Sequence, residues 1–206
     1  MLRILIVLTL LAGILILAPQ ANAQSLQYSA LLDGPSESPP NGSPGTGFSL
    51  VDLNLTAHTM RVRITFSALV GTTTAAHIHA PTAVAFTGVA GVASEVPSFT
   101  GFPLGVTSGS MDTTFDMTLA TSYNPSFITA NGGTTASAEA ALAGYVAAGR
   151  AYVNIHSSTF PGGEIRGFLV AVPEPSTIAL IGAGALGLGL YDIKRRLKKR
   201  TVRGRR

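Results

Sequence analysis

The chain has 206 residues, 46% of them hydrophobic and 12% charged, with a formal net charge of +4. It contains no cysteine, which excludes disulfides, thiolate metal sites and cysteine nucleophiles. Its basic residues crowd the ends, Arg3 at one and nine Lys or Arg from Lys194 onward at the other. Residues 24–172 hold four Arg against eight acids, a net charge of −4, so the body of the chain is not a nucleic-acid binder.

In chain order, Met1-Leu2-Arg3 precedes an apolar run from Ile4 to Ala18 that ends in Ala21-Asn22-Ala23. A positive start, a hydrophobic stretch and a small-x-small ending predict a secretory signal peptide over residues 1–23. Ala21 and Ala23 are the small side chains a signal peptidase accepts, so the mature chain is expected to begin at Gln24.

Residues 24–172 have the length of one domain. Alternating patterns mark strands over Ser25–Leu32, Phe48–Leu55 and Met60–Leu69. In the third, Val62, Ile64 and Phe66 face one way and Arg61, Arg63 and Thr65 the other. The short link Ala57-His58-Thr59 makes the second and third a hairpin and places His58 in solvent. "AAHIHA" (75–80), "SMDTTFDMTL" (110–119), "AYVNIH" (151–156) and "GEIRGFLV" (163–170) read as further strands. One helix is expected over Ser137–Ala148, stopping at Gly149. Seven short strands with one helix predict a mostly β protein built as an antiparallel β-sandwich.

The strand period puts His77 and His79 on one face, with Ile78 pointing to the core. Tyr152, Asn154 and His156 share a face by the same rule, and so do Glu164 and Arg166. If these strands meet, His77, His79, His156 and Glu164 form one cluster suited to zinc or copper. The simpler reading is a hydrogen-bonded polar network that holds the fold, with no metal. Gly162-Gly163 serve backbone geometry before the last strand. No Ser-His-Asp order, P-loop or paired-carboxylate motif is present, so no catalytic activity is expected.

"AAHIHAP" together with "GYVAAGRAYVNIHSSTFPGGEIRGFL" resembles the CHRD domain, first described in the animal protein chordin and also present in bacteria. The upstream Glu37 before Pro39-Pro40 is similar to that family's opening, with Ser38 intervening. The resemblance implies an immunoglobulin-like or superoxide-dismutase-like sandwich in an extracellular setting, with no established catalysis. The dinuclear site of Cu,Zn superoxide dismutase needs more histidines than the four in this chain, so at most a single metal is expected.

After Val172 the sequence changes character. Pro173-Glu174-Pro175 stops the folded body, an apolar stretch runs from Ile178 to Tyr191, and a basic tail follows. This order of parts over 173–206 resembles the PEP-CTERM sorting signal of Gram-negative bacteria. It implies a hydrophobic C-terminal helix held transiently in the inner membrane, its basic flank on the cytoplasmic side. An exosortase-type protease would then remove the tail and deliver the protein to the cell surface or matrix, in contact with extracellular polysaccharide.

Overall fold

A computed structural model describes residues 25–173. The cleavage residues Ala21 and Ala23, the motif residues Glu174 and Pro175 and the apolar run from Ile178 to Tyr191 lie outside the described residues. No helix among the described residues is long and apolar enough to cross a membrane.

Eight strands carry the fold: β1 Leu26–Asp33, β2 Thr46–Asn54, β3 Thr59–Ser67, β4 Thr73–His79, β5 Gly109–Asp116, β6 Tyr152–Ser157, β7 Ile165–Phe168 and β8 Val170–Ala171. The predicted last strand is divided at Leu169, whose N–H turns aside to Ala151 O (3.0 Å). All pairings are antiparallel. The order is β4-β6-β7-β1-β2-β3-β5, with β8 also on β1. The eight strands are therefore joined in one continuous sheet. β1 is the reason, because it pairs with β2 along one edge and with β7 and β8 along the other.

The β2–β3 hairpin forms as expected, in register from Thr46↔Ser67 to Asn54↔Thr59. Its turn is held by Asn54 Oδ1, which accepts from Thr56 N and Ala57 N, with His58 at a φ of 52°. Met60, Val62, Ile64 and Phe66 are buried while Arg61 and Thr65 are exposed, as alternation requires. One core gathers side chains from both halves of the sheet, including Val62, Ile64, Ile78, Val153, Ile155 and Ile165. The sheet must therefore curl over itself to cover them.

The two ends of the sheet, β4 and β5, are joined by a long crossover that closes the curl. Along the free edge of β4, Ser98 Oγ accepts from Ala76 N and Ser94 Oγ accepts from Ile78 N. Farther on, Phe99 packs on Phe115 of β5 (centroids 5.3 Å) and Thr113 Oγ1 donates to Thr100 O.

Two α-helices follow β5. α1 (Pro125–Ala130) is not legible as a helix in the sequence, being six residues long; Asn124 caps it and a proline opens it. α2 (Thr135–Ala147) is the expected helix, begun two residues earlier. Its start is a reciprocal cap between Thr134 and Ser137, and its chain exits through Gly149 at a φ of 67°. Leu142 and Val146 face the core. His58 is only half exposed, because its Nδ1 pairs with Glu139 Oε2 of α2 at 2.7 Å.

Gly167 lies where β7 passes β1, and a Cβ there would overlap the Leu31 carbonyl, a backbone group that cannot rotate away. Gly167→Ala is therefore expected to cost about 3 kcal/mol and to lower the melting midpoint by roughly 6–12 °C. Gly42→Ala, with nothing near its Cβ position, should leave the midpoint in place in the same melts.

Candidate metal centre

The β4–β6 register sets His79 opposite Tyr152, His77 opposite Asn154 and Ala75 opposite His156. His77 and His79 thus lie on one strand face, and His156 reaches them diagonally from the neighbouring strand. The three ring centroids are 5.3, 5.7 and 5.7 Å apart, close to an equilateral triangle. Ile78, between the two β4 histidines, is fully buried in the core. The expected sharing of a face by His77, His79 and His156 is what the structure shows.

Each ring donates from one nitrogen to a backbone carbonyl, two of them in the β4–β5 connection and one between β6 and β7. His77 Nε2 reaches Pro97 O at 2.6 Å, His79 Nδ1 reaches Ala90 O at 2.9 Å, and His156 Nδ1 reaches Pro161 O at 2.9 Å. A carbonyl only accepts, so these contacts assign the N–H to those nitrogens. The remaining nitrogens, His77 Nδ1, His79 Nε2 and His156 Nε2, are buried and have no hydrogen-bond partner. One ligand atom from each ring lies within 4.8 Å of the other two.

Burial depresses the basicity of all three rings. For His79 burial takes the ring's pKa down to about 4, with the Ala90 carbonyl opposing the change and the positive charges of His156, His77 and Arg166 adding to it. The rings are therefore neutral at pH 7 and present lone pairs. Neutral imidazoles oriented through N–H contacts to carbonyls are the donor arrangement that holds zinc or copper in proteins. Bond lengths near 2.0–2.1 Å require the rings to move inward from their present separation.

Glu164 does not join the cluster. Its Oε1 accepts from Ser43 Oγ (2.7 Å) and from Val70 N, and its Oε2 accepts from Gly71 N (3.1 Å). The i, i+2 rule places it with Arg166, but β7 begins only at Ile165, after Gly163 at a φ of 136°. The strand period therefore does not extend to Glu164.

Other residues named in the sequence shape the site through contacts that the sequence does not reveal. Tyr152 stacks on His79 with centroids 4.9 Å apart and planes within 4°. The Arg166 guanidinium lies 4.8 Å from the same Tyr152 ring, donating from Nη1 to Gly88 O and from Nε to Ser36 O. Glu37 approaches Arg166 Nε at 3.7 Å. Burial pushes its carboxyl up to about 7, against the lowering pull of Arg166 and the Ser38 N–H. Gly163 leaves space for Glu37 and Asn154, both of which a Cβ there would strike. Two surface clefts, of about 330 and 460 Å³, open elsewhere, on the outer face of β2 and β3 around Phe48 and Thr65.

The model of the CHRD domain family matches residues 28–169, a span that contains every residue of the cluster and both motifs that frame it. The chain belongs to the CHRD domain family. Its CHRD domain is followed by a match to the PEP-CTERM protein-sorting motif over residues 171–196. No curated protein and no solved structure is significantly similar to the chain.

The titrations of the cluster and of Glu37 have opposite signs. The unfolded chain protonates its histidines near 6.5, above the folded values, so stability rises with pH through that window. Glu37, raised from 4.5 to about 7, stabilises the fold at low pH and loses that contribution as pH climbs. In metal-free Glu37→Gln protein, the denaturant midpoint should therefore climb between pH 4.5 and 6.5 and level off above. His79 alone contributes on the order of 3 kcal/mol over its full titration. A flat profile would mean that the rings are charged in the folded protein.

Proposed function

We propose that this protein is an exported, non-enzymatic surface or matrix component whose CHRD domain holds a single zinc or copper ion on His77, His79 and His156. The PEP-CTERM motif marks the chain for an exosortase-type system. The finer reading has signal peptidase remove residues 1–23, the hydrophobic tail hold the protein at the inner membrane, and the exosortase cut near Pro173-Glu174-Pro175. The released protein then resides at the cell surface or in the extracellular polysaccharide. The immunoglobulin-like or dismutase-like sandwich remains part of this reading, the curled sheet being compatible with either.

One observation carries the metal assignment: each of the three rings keeps a buried nitrogen without a partner, and the rings offer ligand atoms within 4.8 Å of one another. A polar network built only to hold the fold would pair its members, since an unsatisfied buried polar group costs about 1–3 kcal/mol. Three such costs at one place are offset when a metal takes all three lone pairs.

Two measurements test this reading. The full chain, purified without chelator and assayed by elemental mass spectrometry after incubation with zinc and copper, should carry one metal per chain. His77→Ala should lose it. Loading at 100 times the dissociation constant should stabilise the fold by about 2.7 kcal/mol. For the sorting step, intact mass in an exporting host should show the tail removed, and Pro173, Glu174 and Pro175 replaced together by alanine should retain it. A tail removed equally in both would refute exosortase recognition.

A further inference from the structure

Resting on the metal assignment above, we infer that the ion the site selects is monovalent copper, held by three nitrogens alone. The first ground is charge. All three donors are neutral imidazoles, and among the described residues no carboxylate joins them in the cluster. The nearest acid in sequence, Glu164, has both oxygens engaged by Ser43, Val70 and Gly71. A divalent ion would therefore keep its whole charge in a buried setting. The cost of moving an ion out of water grows with the square of its charge, so a dication costs about four times what a monocation costs.

The second ground is what flanks the site. Tyr152 stacks on His79 and also carries the Arg166 guanidinium, so the next formal charge across that ring is positive. Glu37, 3.7 Å from Arg166, is the acid that faces that guanidinium. His58 and Glu139 pair with each other at a separate place, on the β2–β3 turn and α2. A zinc ion on three histidines ordinarily lowers its charge by taking a water or hydroxide at a fourth position.

The third ground is access. The three free nitrogens have essentially no solvent exposure. The β4–β5 crossover and the β6–β7 connection close around them, bringing the carbonyls of Ala90, Pro97 and Pro161. The geometry offers three nitrogen donors and, among the described residues, no fourth protein ligand. A filled-shell monovalent copper ion accepts a trigonal set of three nitrogens, whereas zinc prefers four ligands. The site is thus a copper-holding centre of the exported domain, shielded from water.

The test uses the full chain in detergent, purified without chelator. Copper(I) affinity is measured anaerobically under reductant by competition with a chromophoric copper(I) chelator, and zinc affinity by competition with a zinc dye. The expected result is one copper(I) per chain, bound on the order of 100-fold more tightly than zinc. X-ray absorption should show three nitrogen neighbours. His156→Gln, at the half-buried member of the cluster, should weaken copper(I) by more than about 100-fold, beyond what outer-shell changes cause. Circular dichroism and melting of that variant confirm that it folds, and His77→Gln serves as the second variant. Zinc bound as tightly as copper(I), or a four-coordinate absorber, overturns this inference and leaves the metal site standing. Failure to bind either ion overturns the metal assignment itself.

Discussion

The pairing of β4 with β6 in one register is the constraint on which the site depends. Ile78 and Val153 are opposite each other and fully buried, and so are Ala76 and Ile155. A slip of one residue would turn these side chains outward and drive His77 and His79 into the core. Hydrophobic burial thus fixes the register, and the register fixes the histidine triangle. The rings need no attraction for one another in order to meet.

The orientation of the rings is a separate matter, set by the loops. Ala90 belongs to the chain just after β4, Pro97 to the crossover toward β5, and Pro161 to the connection between β6 and β7. Each supplies one carbonyl to one ring. Tyr152 adds a further tie, its hydroxyl accepting from Ala90 N at 3.2 Å. A centre built this way ties the β4–β5 crossover, at two points, to the β6–β7 connection. Occupation by a metal would therefore resist opening of both connections at once.

Much of the strand pattern and of the histidine cluster is legible in the amino-acid sequence. Alternation locates every strand except the break at Leu169, because a period of two survives wherever one face is buried and the other is not. The same rule finds the His-x-His pair and His156, as residues sharing a face. It misplaces Glu164, because there it is carried one residue past the start of β7. The partners of the rings cannot be read at all, since they are main-chain carbonyls, which every residue possesses. Glu37 is visible only as part of a family pattern. Its burial against Arg166 depends on the loop between β1 and β2 folding over the sheet, which no local pattern encodes. The single sheet is equally hidden, because strand order is decided by long-range pairing rather than by composition.

The seryl hydroxyls along β4 also govern how one copy of the fold can meet another. By taking the N–H groups of Ala76 and Ile78, Ser94 and Ser98 remove donors that a strand from another molecule would use. The opposite border, β5, carries Asp112, paired with Arg61, and Asp116, charged side chains that discourage a further strand from docking. Neighbouring copies of the fold are thereby kept from zipping into fibres through this edge. Crowding can rise without the fold becoming the seed of its own aggregate.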